Sequence, residues 1–405
     1  MNSLKPMLLT SLKSYNRSQF IKDVTAGIIV AIIALPLSIA LALASGVGPE
    51  AGIFTAIVAG FVISALGGSS VQIAGPTAAF ATIVAGIVAK DGMDGLVIAT
   101  ILAGIFLVLM GLCHFGSLIK FIPFTITTGF TSGIAVTIVI GQLKDFFGLT
   151  YPDGVKPIET TEKFRAVVEN FSTINIDALI VGAVSLAVLI IAPYIFKRIP
   201  GSLIAVIIGI LMVQFLPLKV STIGNLYTIS NSLPSFHLPA VSLEVVQNAL
   251  PNAFTIAVLA AIESLLSCVV ADGMINGKHR SDMELVAQGA GNIASALFGG
   301  IPATGAIART AANIKNGGRT PIAGIVHSIT LVIVLVVLMP YAGMIPMPTI
   351  AAILFIVAYN MCQWRTFVKL VKTAPKSDII VLFASFILTV LFDLVVAIEI
   401  GMVLA

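Results

Sequence analysis

Ile63-Ser-Ala-Leu-Gly-Gly68, soon followed by Ala74-Gly-Pro-Thr-Ala78, has a counterpart about 230 residues later. There Ala294-Ser-Ala-Leu-Phe-Gly-Gly300 runs directly into Ile301-Pro-Ala-Thr-Gly305. Each copy sets a glycine pair, then a proline, then small and hydroxyl residues inside a very apolar stretch. Proline and glycine break helices, and broken backbone at membrane depth survives only where it is buried in protein or lines a cavity. Two such breaks at corresponding positions of two halves point to the substrate site of a secondary transporter.

The surrounding composition sets the class. Of 405 residues, 58% are hydrophobic and only 10% charged, against about 25% charged in soluble domains, and the mean hydropathy is +1.10. Only a bilayer accepts that much apolar surface, so the chain reads as an all-α polytopic membrane protein. A net charge of +4 orients such a chain rather than attracting nucleic acid. Cys113, Cys268 and Cys362 lie far apart in apolar segments and outline neither a disulfide framework nor a metal site. The first 20 residues are polar and basic, which is not a cleavable signal peptide.

A helix needs about 20 apolar residues to cross the bilayer. Apolar runs between turn signals give about fourteen segments: 24–44, 51–67, 77–89, 95–113, 121–141, 174–194 and 201–216, then 249–272, 283–298, 304–315, 322–339, 346–360, 377–391 and 393–405. The third and tenth are too short to span alone, so each is expected to be an extended stretch meeting a half-helix that begins near Thr77 or Thr304. Seven segments per half is an odd number, so the second half enters the membrane from the opposite side, a 7+7 inverted repeat. The expected organisation is a cytoplasmic segment (1–23), a first repeat (24–216), an outer connection (217–248) and a second repeat (249–405). With the N-terminus inside, fifteen of the 22 Lys and Arg residues fall on the cytoplasmic side, six on the outer side, and Arg309 within the membrane, as the positive-inside rule requires. Residues 158–170 read as an interfacial helix. The last run, 391–405, carries no basic stop, and the chain is expected to continue in its natural form. A multi-pass protein of the inner (plasma) membrane with both termini cytoplasmic is expected.

Three features carry chemistry. Arg309 is a charge at membrane depth, which usually faces a cavity or a partner. It reads as an anion counter-charge, or else as a structural ion pair or a side chain snorkelling to the surface. The half-helix N-termini present unpaired N–H groups and about half a positive charge, an anion site needing no side chain, and Thr77 and Thr304 can add hydroxyls. The plainer reading of each break is a capped kink. Glu263 lies inside the eighth segment, with Ser267 one turn on along the same face. It can take up a proton, bind Na⁺ with carbonyls of the broken helix, or act as a strut between helices. Asp272 reads as structural, and Gly289-Ala-Gly291, Ala294-Ser-Ala296 and Gly324 as close helix packing. The run Gly273-Met-Ile-Asn-Gly-Lys278 lacks the spacing and the preceding strand of a phosphate loop.

The chain resembles the bacterial members of the sulfate permease (SulP) family along essentially its whole length. The strongest matches are Ala31-Ile-Ile-Ala-Leu-Pro-Leu-Ser-Ile-Ala40, Ala74-Gly-Pro-Thr77, Ala261-Ile-Glu-Ser-Leu-Leu-Ser267 with Val270-Ala-Asp-Gly273, and Phe298-Gly-Gly-Ile-Pro-Ala-Thr-Gly-Ala-Ile-Ala-Arg309. The resemblance implies a core domain of segments 1–4 and 8–11 and a gate domain of segments 5–7 and 12–14. It implies substrate between half-helices three and ten, at Thr77 and Ala78 and at Ala303, Thr304, Gly305 and Ala306. Arg309 matches the positive position of helix ten, and Glu263 the acidic coupling position of helix eight with Ser267 beside it. Sodium-coupled bicarbonate members look similar there but carry aspartate, and threonine in place of Ser267, so glutamate favours H⁺ over Na⁺ as the coupling ion. No other cofactor or metal is implied. Relatives continue into a cytosolic STAS domain not included in these 405 residues, which makes a shortened chain the expectation, and many form homodimers.

The functional expectation is therefore proton-coupled symport of a small anion (sulfate, bicarbonate or a C4-dicarboxylate) by alternating access. An uncoupled anion channel or uniporter, a sodium-coupled bicarbonate symporter and a nucleobase permease are the alternatives. The last looks as if it needs a second carboxylate on helix ten, and residues 299–315 contain no Asp or Glu. No nucleophile–base pair suggests an intramembrane enzyme.

Overall fold

A computed structural model describes residues 4–117, 124–196, 199–239 and 242–391. The fourteenth expected segment (393–405), with Asp393 and Glu399, lies outside these residues, as do Lys120, Lys197 and Arg198. Regular structure among the described residues is helical apart from short 3-10 turns and one pair of two-residue strands. The first half runs α1 (Met7–Ser11), α2 (Arg17–Ala44), α3 (Pro49–Leu66), β1 (Ala74–Gly75), α4 (Ala78–Leu112), α5 (Phe124–Phe147), α6 (Thr160–Glu169), α7 (Ile176–Ile195) and α8 (Gly201–Phe215). After α9 (Ile223–Leu226), the second half runs α10 (Leu243–Ile275), α11 (Ser281–Leu297), β2 (Thr304–Gly305), α12 (Ile307–Lys315), α13 (Ile322–Ala342), α14 (Met347–Cys362), α15 (Trp364–Thr373) and α16 (Lys376–Leu391). Seven of the described helices, and α14 taken together with α15, are long and apolar enough to cross a membrane. The chain is an all-α polytopic membrane protein.

Local chemistry sets the helix ends. Asn16 caps α2 by accepting from the Gln19 N–H (2.9 Å), and Pro49 opens α3 at a position whose N–H needs no partner. Asn276 closes α10 in the left-handed conformation (φ 52°). The helix expected within 158–170 forms as α6, where Glu159 and Glu162 make a reciprocal capping box.

The helices pack as two groups. One holds α2, α3, α4, α10, α11, α12 and α13; the other holds α5, α7, α8, α14 and α16. They meet where α2 and α4 lie against α5, α8 and α14. Inside the first group, the backbones of α4 and α11 touch at two facing glycines. A Cβ on Gly104 would strike the Gly289 carbonyl, and one on Gly289 would strike the Gly104 carbonyl. Small residues allow this close approach, which substitutes for a hydrophobic drive between helices in lipid.

One helix start changes, and one long helix divides as expected. The third and fourth segments form as two helices within α4 (Ala78–Leu112), separated by a kink at Gly92 (φ 70°, ψ −170°), a conformation open to glycine alone. The tenth half-helix begins at Ile307, three residues later than Thr304. The reason is backbone pairing. Ala74 pairs with Gly305 and Gly75 with Thr304 in a short antiparallel ladder, so Thr304 and Gly305 are extended where the apolar pattern suggested helix.

Candidate functional site

The two sequence breaks meet at that ladder. Each contributes a strand and then a helix N-terminus, with Thr77 at the N-cap of α4 and Ala306 at that of α12; neither helix has a side-chain cap. The opening N–H groups of a helix have no intrahelical acceptor, so both ends bring unpaired donors and positive dipole ends to one place. The Ala306 N–H itself is used by the Ile73 carbonyl (2.9 Å).

Across the ladder lies the middle of α10. Thr77 Oγ1 donates to Glu263 Oε2 (2.9 Å), joining the residue expected to meet substrate to the one expected to bind the coupling ion. Both are half-buried. Ser267, one turn further, is buried and its Oγ has no hydrogen-bond partner. Thr304 differs from Thr77. Its hydroxyl is fully buried, 2.6 Å from Ser264 Oγ and 3.4 Å from the Ala260 carbonyl, while Ser264 Oγ also accepts from the Gly305 N–H (3.2 Å). The Thr304 hydroxyl is thus engaged in holding β2 against α10. Ala78, Ala303 and Gly305 are buried, and Ala306 is half-buried at the mouth.

Arg309 sits behind the ladder, 1% exposed. Its Nη2 donates to Ser38 Oγ of α2 (3.2 Å) and to the Pro76 carbonyl (3.3 Å), whereas Nε and Nη1 have no partner. Nη1 packs over Gly75, where any Cβ would collide with it. Among the described residues the ion pairs are His114–Asp282, Arg165–Glu169 and His279–Asp272, none of them at this site. Arg309 therefore neither snorkels nor pairs with a carboxylate. Its charge stands uncompensated in low dielectric, where its field reaches further than in water.

Three buried groups, Glu284, His327 and Asn292, carried no clear signal in the sequence. Glu284, at the start of α11 and 0% exposed, satisfies the first break: its carboxylate accepts from the N–H groups of Gly68 (2.9 Å) and Ser69 (3.1 Å) and from the amides of Gln72 and Gln288 (2.8 Å each). The only sequence signal was an acid inside the ninth apolar segment. His327 of α13 is 0% exposed, with both ring nitrogens unpartnered. Asn292 plays the Glu284 role for the second break, with its side-chain amide bonded to both the N–H and the carbonyl of Ala303 (2.8 and 2.9 Å). Asp272, read as structural, accepts from the His279 N–H and ring just beyond α10. A separate apolar cavity of about 380 Å³ opens between α2 and α7, α8 and α14, with Leu37, Leu189 and Ile353 in its wall and no charged residue among the described residues that line it; none of the site residues lines it.

Known proteins repeat this arrangement of sequence. YvdB of Bacillus subtilis (strain 168), whose name assigns it provisionally to sulfate transport, is 42% identical over 399 residues, spanning 97% of this chain and 74% of YvdB. The bicarbonate transporter BicA of Picosynechococcus sp. is 33% identical over 394 residues, spanning 95% of this chain and 69% of BicA. The solved transmembrane domain of a cyanobacterial bicarbonate transporter BicA superposes with a TM-score of 0.84 at 29% identity, covering 95% of this chain and 98% of that one. The model of the sulfate permease family matches residues 20–385. Members of that family are transporters, not enzymes, and this chain belongs to the sulfate permease family.

Proposed function

We propose that this chain carries a small anion across the membrane by secondary active symport, with the anion seated at the crossing of the two broken segments. The observation that carries the reading is Arg309: a fully buried guanidinium with no carboxylate partner and two unpartnered nitrogens, directly behind two helix N-termini. A cation so placed is costly to maintain unless its field serves a bound anion. The anion sits on the free N–H groups that open α4 and α12, beside the Thr77 hydroxyl, with Arg309 felt through the Pro76 peptide rather than touched. Sulfate, bicarbonate and C4-dicarboxylates fit a pocket built largely of backbone dipoles, and the names of the relatives favour the first two.

Glu263 couples the cycle. Unprotonated, it accepts the Thr77 hydroxyl and places a negative charge beside the anion seat. Protonation removes that repulsion, so proton and anion load together. The two helix groups then move against one another to alternate access, and the excess of basic residues on one side supports a cytoplasmic N-terminus. A sodium-coupled reading has one observation in its favour, the unpartnered buried hydroxyl of Ser267 one turn from Glu263, which can offer an oxygen to a cation. The deciding experiment is uptake of radiolabelled sulfate, bicarbonate or fumarate into proteoliposomes under a proton gradient, a sodium gradient or neither. Uptake of one anion driven by the proton gradient is expected. Drive by sodium alone transfers coupling to the Glu263–Ser267 cation site. Equal uptake in all three conditions overturns symport in favour of a channel or uniporter.

A further inference from the structure

The helix α15 is unlike its neighbours. It is ten residues long, about 15 Å, too short to span a bilayer, and it follows a break where Gln363 adopts φ 42°. No residue of it is fully buried. Arg365, Lys369 and Lys372 fall at i, i+4 and i+7, a single row on one face, and all three are exposed. None of them makes an ion pair among the described residues, and the acid that follows, Asp378, pairs with none of them. The opposite face is apolar and docked: the Phe367 ring lies 5.7 Å from those of both Phe383 and Phe386 on α16. Trp364, 49% exposed, opens the helix.

A short helix with a cationic row, an apolar underside and a tryptophan at its end is built to lie in the plane of the membrane interface. Tryptophan settles at headgroup level, and clustered Lys and Arg beside a membrane helix attract anionic lipid. The remaining Lys376 extends the same charge to the start of α16. Because α15 joins α14 to α16 and packs on α5, whatever the row binds is attached to the helix group that meets α2 and α4. We propose that α15 lies in the membrane interface and that its Arg365–Lys369–Lys372 row binds the phosphate headgroups of anionic phospholipids. The proposal stands independently of the transported anion and of the coupling ion.

Trp364 is the chain's single tryptophan, so selectively excited tryptophan fluorescence reports on this helix alone. The protein is reconstituted in phosphatidylcholine containing either brominated phosphatidylglycerol or brominated phosphatidylcholine, and quenching is compared. Stronger quenching by the anionic brominated lipid at low salt is expected, with the difference shrinking at high salt and vanishing in the triple variant R365Q/K369Q/K372Q. The charge-keeping variant R365K/K369R/K372R should retain it. Because the three positions are exposed, the glutamine variant is expected to fold, and its melting temperature checks this. Equal quenching by the two lipids overturns the proposal, leaving the row to water or to an acidic protein surface. Lack of quenching by either lipid, or a preference that survives the glutamine variant, overturns it as well.

Discussion

Replacing Arg309 by methionine separates the cost of the guanidinium from its use. The side chain is 1% exposed and makes only two hydrogen bonds, to Ser38 Oγ and the Pro76 carbonyl. Buried charges replaced by apolar groups of similar volume often leave a protein unchanged or more stable, by about 1–4 kcal/mol. Ser38 loses one donor but sits in a helix, where its hydroxyl can bond the preceding turn. The melting temperature of Arg309→Met should therefore equal or exceed that of the parent. Anion affinity should move the other way. An anion on the first free N–H groups of α4 lies roughly 7 Å from the guanidinium, one peptide beyond the Pro76 carbonyl, and at an effective dielectric of about 20 the attraction is about 2.4 kcal/mol. Losing it weakens binding about 50-fold. Arg309→Lys keeps the charge without the planar fork and should fall between the two. The assay is the KM of gradient-driven anion uptake in proteoliposomes, paired with thermal unfolding followed by circular dichroism. A KM for Arg309→Met within about threefold of the parent would refute the electrostatic role assigned to this residue on the arithmetic above. A large loss of melting temperature would instead make the guanidinium a structural strut.

Gly75→Ala should reproduce part of this defect, because its Cβ collides with Arg309 Nη1; combined with Arg309→Met its effect on KM should not add, and full additivity would separate the two residues. Glu263→Gln keeps an acceptor for Thr77 but cannot titrate, so uptake should stop responding to an imposed proton gradient while exchange of labelled for unlabelled anion continues; an unchanged gradient response would remove Glu263 from coupling. The two threonines should part company. Thr304→Val strips a buried hydroxyl 2.6 Å from Ser264 and should destabilise by roughly 1–2 kcal/mol, whereas Thr77→Val should leave the melting temperature nearly unchanged and raise the KM. Equal melting losses in both would contradict the different roles of the two hydroxyls.

Much of this was readable from residues alone, and the boundary between what was and was not has a physical cause. The paired Gly-Gly and Pro-Thr breaks are punctuation, legible because proline and glycine act on the backbone within a residue or two. The charge at Arg309 and the acid at Glu263 stood out because each sits deep in apolar sequence. What the strings did not carry was pairing across some 230 residues. Thr304 and Thr77 occupy equivalent places in the two patterns, yet one hydroxyl is consumed by Ser264 and the other faces Glu263. The strand register that made Thr304 extended is likewise a contact between distant segments. Glu284 was overlooked because it lies near the end of a segment, where an acid looks solvated, although the chain folds Gly68 and Ser69 onto it. His327 stands in an apolar run with no partner nearby in sequence, and its burial is visible only once α13 packs on α2 and α3.

The accounting of backbone groups at the breaks explains why the two halves need one another. Every N–H and C=O freed by a broken helix must find a partner when no water can reach it. At the first break the partners come from the second half: Glu284 takes the Gly68 and Ser69 N–H groups, Thr310 Oγ1 accepts from the Ile73 N–H (3.1 Å), and the Asn313 amide donates to the Val71 carbonyl (2.8 Å). At the second break Asn292 and Ser295 act from within the same half, but Thr55 of α3 accepts from the Ile301 N–H (2.7 Å). Each break thus takes at least one side-chain partner that the other half delivers, and the ladder between β1 and β2 joins both at once. Neither half alone can satisfy its own broken segment, so the crossing assembles only when the two halves dock. The same interlock keeps both helix N-termini at a fixed spacing, with Arg309 reaching from α12 across to the Pro76 carbonyl that precedes α4. A site held this way is preorganised: the dipoles that would meet an anion are oriented before it arrives, and the energy that orients them comes from hydrogen bonds remote from the seat itself.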